Sequence, residues 1–148
     1  MKPSTLLLVL AVGGFAIAAP SAALPEGQKA GVPAAVPTAT PKAVVYYFHA
    51  TTRCATCRTI EAYAHETVAS AFAADLATGS LEWQAVNVDE PANRHFIRDF
   101  QLYTRSVVVV DAKNPKRYKV LDRVWQLVRD KAAFQSYVEQ EIRAFPRS

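Results

Sequence analysis

Cys54 and Cys57 are the only cysteines in the chain, and they stand three residues apart. Two cysteines build neither a disulfide-rich scaffold nor a four-cysteine zinc site. Three chemistries remain: a redox-active dithiol, a static local disulfide, or part of a mixed-ligand metal site. The residues after Cys54 have helical periodicity, so the cysteine stands at or just before a helix N-terminus. There, aligned peptide dipoles and free N–H groups stabilise a thiolate. Arg53 and Arg58 add positive charge nearby. Cys54 is therefore the expected attacking thiol, and Cys57, three residues on and deeper, the expected resolving one.

His49 ends the apolar stretch that leads into the cysteine loop, so it is the candidate third participant, set against ordinary packing at a strand end. His65 lies about two helical turns beyond Cys57 and reads as surface, and His95 reads as a capping or packing residue. Trp83 and Trp125 read as core or edge residues. Soft thiolates suit soft ions, so a binder of Cu(I) or trivalent arsenic using Cys54, Cys57 and His49 is the competing reading. A non-catalytic scaffold subunit with a fixed disulfide is the third. The sequence shows no nucleotide loop and no flavin or haem signature. No cofactor beyond a redox-active disulfide is expected, and reducing equivalents must arrive through a thiol or disulfide partner protein.

Positioning these side chains requires a folded domain over residues 43–148. Val44-Val45-Tyr46-Tyr47-Phe48-His49-Ala50 is short, β-branched and aromatic, as a buried central strand should be. Ile60, Tyr63, Ala64, Val68, Ala71, Phe72 and Leu76 then recur at three- and four-residue spacing, which predicts one long helix ended by Gly79. Leu81 to Val88 reads as a second strand. Pro91 suits the first turn of a second helix, running through Phe96, Ile97 and Phe100. Val107 to Val110 is a third strand and Tyr118, Val120 and Leu121 a fourth, joined as a hairpin through Asn114-Pro115. Asp130 is a plausible N-cap for a last helix with Phe134, Tyr137, Val138, Ile142 and Phe145 on its buried stripe. The order βαβαββα predicts an α/β fold, a central mixed sheet covered by helices.

The chain begins differently. Lys2 precedes the uncharged run Leu6 to Ala19, and Ala16-Ile17-Ala18 and Ser21-Ala22-Ala23 have the small-x-small form of a cleavage site. Residues 1–23 read as a signal peptide or a membrane anchor, and 24–42, with prolines at 25, 33, 37 and 41, as a Pro/Ala-rich linker. The expected location is outside the cytoplasm, periplasmic or tethered to the outer face of the inner membrane. The net charge of +4 is scattered rather than clustered, which gives no case for nucleic-acid binding.

The strand, short loop, Cys54-Ala55-Thr56-Cys57 and long helix resemble the active-site turn of thioredoxin-like proteins, and Asn87-Val88-Asp89 resembles the Asn-x-Asp that ends their next strand. More narrowly, Tyr46-Tyr47-Phe48-His49, Arg53-Cys54-Ala55-Thr56-Cys57-Arg58 and Ile60-Glu61-Ala62-Tyr63 are similar to small exported thioredoxin-like proteins of the ArsF type (nitrophenyl compound nitroreductase subunit). The resemblance implies a thioredoxin-like fold and a thiol carrier working beside a membrane thiol-transfer protein. Two positions depart from the thioredoxin pattern. Tyr47 stands where a buried acid is usual, and Ser106 stands nearest the usual cis-proline. Without proline a cis bond costs ~2.5–4 kcal/mol, so a trans peptide is expected there. Ser106 would then face the cysteines and donate a hydrogen bond to a thiolate.

Overall fold

A computed structural model describes residues 40–148. The signal or anchor segment, and all of the linker but its last three residues, lie outside the described part. Four strands form one open mixed sheet in the order β2-β1-β3-β4. The first strand, β1 (Ala43–His49), is parallel to β2 (Leu81–Asn87) and antiparallel to β3 (Ser106–Asp111), which pairs antiparallel with the short β4 (Tyr118–Val120). A parallel neighbour requires a crossover. It is made by α1 (Ala55–Ala71) and α2 (Ala73–Thr78).

The single long helix expected up to Gly79 is two helices, because the chain leaves helical geometry at Phe72 (φ −126°). Phe72 is buried at that break. Its burial is the physical reason a continuous apolar stripe was readable across both helices. Gly79 ends α2 at φ 72°, the left-handed region where glycine carries no Cβ penalty. The second expected helix is shorter than its pattern. Pro91–Asn93 is a single 3-10 turn, and α3 follows over His95–Asp99. A four-residue helix, α4 (Val124–Leu127), was not foreseen. The last helix, α5 (Lys131–Ala144), starts as expected, with the Asp130 carboxylate accepting from Ala133 N at 3.0 Å.

Strand alternation divides the core. Val45, Tyr47, Val107 and Val109 face α1 and α5, packing with Ile60, Val68, Phe134, Val138 and Ile142. Phe48, Val108 and Val110 face the other way, against Phe100 and the partly buried Tyr46, Phe96 and Tyr118. Helices thus flank both faces, two long helices on one and the short α3 on the other. Because β1 and β3 are both interior strands, their ends are held in register, with Phe48 opposite Ser106 and His49 opposite Asn87. That common end of the sheet carries the cysteine loop. Among the described residues no helix is long and apolar enough to cross a membrane.

Candidate functional site

The loop Ala50–Arg53 leaves the end of β1 and delivers Cys54 as the N-cap of α1. The two cysteines are joined as a disulfide. Cys54 Sγ accepts from the Cys57 backbone N–H at 3.0 Å, the bond that a serine or aspartate oxygen makes at other N-caps. In the reduced protein the same N–H and the helix dipole favour a thiolate at Cys54. Access differs between the two sulfurs in the expected sense. Cys54 is exposed, whereas Cys57 is only 3% exposed. The cause is helical periodicity: Cys57 stands on the stripe of Ile60, Ala64 and Val68 that α1 buries against the sheet.

Tyr47 lies directly behind Cys57. It is fully buried, and its hydroxyl donates to the Cys57 carbonyl at 2.7 Å. Burial raises the phenol above its ordinary value, opposed by the nearby positive charges of Arg53 and Arg105. The phenol is therefore neutral and a hydrogen-bond donor across the physiological range. It stands where the thioredoxin-like resemblance would place a buried acid, and it supplies a donor where a carboxylate would supply a charge.

Arg53 is not a free cation beside Cys54. It forms an ion pair with Glu61, two turns into α1. Its carbonyl also accepts from the Arg58 guanidinium at 3.3 Å. Glu61 offsets part of the positive charge that the sequence suggested, and Arg58 remains exposed.

The loop is also held from β2. The Asp89 carboxylate accepts from Thr51 N at 2.7 Å, and Asn87 donates to the Thr51 hydroxyl at 3.1 Å. The backbone hydrogen bond from Thr51 lowers the Asp89 carboxyl below its usual range. Desolvation opposes this, and the Thr51 hydroxyl, Arg105 and Arg94 add smaller lowering contributions. The side chains of Asn87 and Asp89 thus hold the cysteine loop at Thr51.

His49 stacks against Tyr47 with ring centroids 6.1 Å apart, and its Nδ1 lies 3.0 Å from the Ala50 carbonyl. It hydrogen-bonds neither sulfur. Ser106 is buried, and its hydroxyl donates to the Thr104 carbonyl at 2.9 Å. Alternation puts Ser106 on the Phe48 side of the sheet. Its neighbour Arg105 carries one of the two charges that act on Tyr47, the other being Arg53. The described peptide bonds include no cis bond. His65 is exposed and stacks on Trp83 at 5.4 Å, and the His95 ring lies 2.8 Å from the Ala92 carbonyl. Trp125 is half-buried and donates from Nε1 to the Arg105 carbonyl at 2.8 Å. No group of three or more His, Cys, Asp or Glu side chains among the described residues is placed to hold a metal ion. Cys54, Cys57 and His49 are not gathered as one.

Sequence reading missed Arg105 and the role of Trp125. The signal for Arg105 was present, since it is a charged residue two positions before a run of four valines. The chain matches no protein-family model and no curated protein.

Two outcomes follow. Tyr47→Phe removes a buried donor from the first turn of α1 and lowers unfolding stability in urea by about 1–2 kcal/mol. An unchanged midpoint and slope would show that this hydrogen bond contributes nothing. Asp89 has a folded pKa below its unfolded one, so its stabilisation is full above the unfolded value of about 4 and is lost as pH falls through the folded value. Asp89→Asn should therefore flatten part of the acid limb of a plot of thermal midpoint against pH. Superimposable limbs for the two proteins would contradict the clamp.

Proposed function

We propose that this chain is an exported thioredoxin-like thiol–disulfide oxidoreductase, or thiol electron carrier, working through the Cys54–Cys57 pair. The observation that carries the reading is the asymmetry of the pair. One sulfur is exposed at a helix N-terminus and the other buried one turn inside the same helix. A four-strand mixed sheet with the cysteines after its first strand supports the fold assignment. The N-terminal sequence supports an exported domain, periplasmic or tethered to the outer face of the inner membrane.

The chemistry runs as follows. The Cys54 thiolate attacks one sulfur of a partner disulfide, forming a mixed disulfide and releasing one partner thiolate. The Cys57 thiolate then attacks the Cys54 sulfur. The intramolecular disulfide closes, the second partner thiolate leaves, and the partner has gained two electrons. Run backwards, the same steps oxidise a partner dithiol. Tyr47 holds the Cys57 turn in place through both steps, and the Asp89 clamp holds the loop that presents Cys54. Recharging needs a second thiol protein, and a membrane thiol-transfer protein fits the proposed location.

Trapping tests this reading. Cys57→Ser leaves the attacking thiol without its resolving partner, so incubation with a model disulfide should accumulate a mixed disulfide on Cys54, counted by mass. Cys54→Ser under the same conditions should accumulate at least about tenfold less, since its remaining thiol is buried. Equal, slow labelling of both variants would contradict the assignment of roles and favour a static disulfide.

A further inference from the structure

The two edges of the sheet are not alike. On one side β4 has three residues and follows Pro115, Lys116 and Arg117, and its central Lys119 pairs with Glu141 of α5. A short, charged edge of this kind discourages a further strand. On the other side β2 has seven residues and a single charge, Glu82, with no proline and no lysine. Among the described residues only β1 pairs with it.

The backbone groups left over on β2 follow from its register. Val88 N donates to the His49 carbonyl at 2.8 Å, so Val88 turns its backbone groups toward β1, and by alternation Val86, Gln84 and Glu82 do the same. The N–H and C=O of Trp83 and Ala85 therefore point outward in the plane of the sheet. Neither residue has a backbone partner outside the sheet among the described residues. These are the groups through which an edge takes a further strand.

The side chains say which strand fits. Leu81, Trp83, Ala85 and Asn87 share the α1 face, and Glu82, Gln84 and Val86 the other. A second β2, laid antiparallel about a two-fold axis through Gln84, keeps every side chain on its own face and matches all seven residues. Ala85, small and exposed, then lies opposite Trp83 of the other copy, and the two exchange both backbone hydrogen bonds. Glu82 lies opposite Val86, so the one charge of the strand does not meet its own kind. Gln84 meets itself, and its amide is donor and acceptor at once.

We propose that β2 is a self-association edge, at which two copies of this chain join their sheets into one about a two-fold axis at Gln84. A strand-to-strand contact buries less than a standard protein–protein interface, so the dimer is weak, with a dissociation constant of about 10–1,000 µM. The antiparallel arrangement sends the two cysteine loops to opposite ends of the joined sheet.

The test takes the 148-residue chain through sedimentation equilibrium up to about 1 mM, with amide hydrogen exchange read residue by residue. Expected are a monomer–dimer equilibrium and exchange at Trp83 and Ala85 that slows as concentration rises. Ala85→Pro removes an outward N–H from an edge, where proline leaves the ladder to β1 intact, and should be folded and monomeric. Gln84→Lys and Gln84→Glu each set like charges opposite one another at the axis, and each should weaken pairing by about fivefold. An equimolar mixture of these two variants should pair at least as tightly as the wild type. A wild type that stays monomeric to about 1 mM overturns the proposal. So does a dimer unchanged by these substitutions, or one whose formation leaves exchange at Trp83 and Ala85 unaltered, since either marks association through another surface. If Ala85→Pro does not fold, the Gln84 variants decide: recovery in their mixture upholds the edge, and no recovery overturns it.

Discussion

The hydrogen bond from the Tyr47 hydroxyl to the Cys57 carbonyl joins the central strand to the first turn of α1, and the geometry of the disulfide loop depends on that junction. Strand β1 is interior to the sheet, paired on both sides, so the position of Tyr47 is set by the whole core. Helix α1 is set by the stripe from Cys57 to Val68 packing on the same sheet face. Between these two rigid pieces the chain has only the loop Ala50–Arg53 in which to place Cys54. Asp89 and Asn87 of the neighbouring β2 end remove most of the freedom left to it. A sulfur held this way is exposed without being loosely placed, which is what the proposed exchange would require.

The electrostatics of the site follow from who is paired with whom. Arg53 is committed to Glu61, and Asp89 to Thr51. The buried phenol stays neutral because desolvation outweighs the two arginines beside it. Cys54 therefore owes its expected thiolate character chiefly to the helix N-terminus and the Cys57 N–H, with the exposed Arg58 as a screened supplement. Arg105 forms no ion pair among the described residues, and its charge acts on both Tyr47 and Asp89.

Much of this was legible in the residues. The succession of strands and helices along the chain, the hairpin and the last helix followed from alternation, turn chemistry and the Asp130 cap, because each is a local signal. The cysteine pair and its difference in burial followed from spacing and helical periodicity. The break at Phe72 was hidden because the apolar stripe runs on through it. The helix α4 was hidden because four residues carry too little periodicity to see. Arg53 looked like a free cation because its partner lies eight residues away, reachable only once the loop folds back on α1. Ser106 was favoured by analogy with a proline position, whereas its hydroxyl is taken by the Thr104 carbonyl and the neighbouring Arg105 is the residue whose charge acts on Tyr47 alongside Arg53.

The central claim is that the pair cycles between disulfide and dithiol, and its redox equilibrium tests that most directly. The purified chain, equilibrated in thiol buffers of defined poise with free thiols counted by mass and Cys54→Ser as control, should show one reversible two-electron transition. Its midpoint should lie between about −270 and −120 mV, the span of known dithiol carriers. A pair that stays oxidised through buffers well below that range would be a structural disulfide, and would contradict the account.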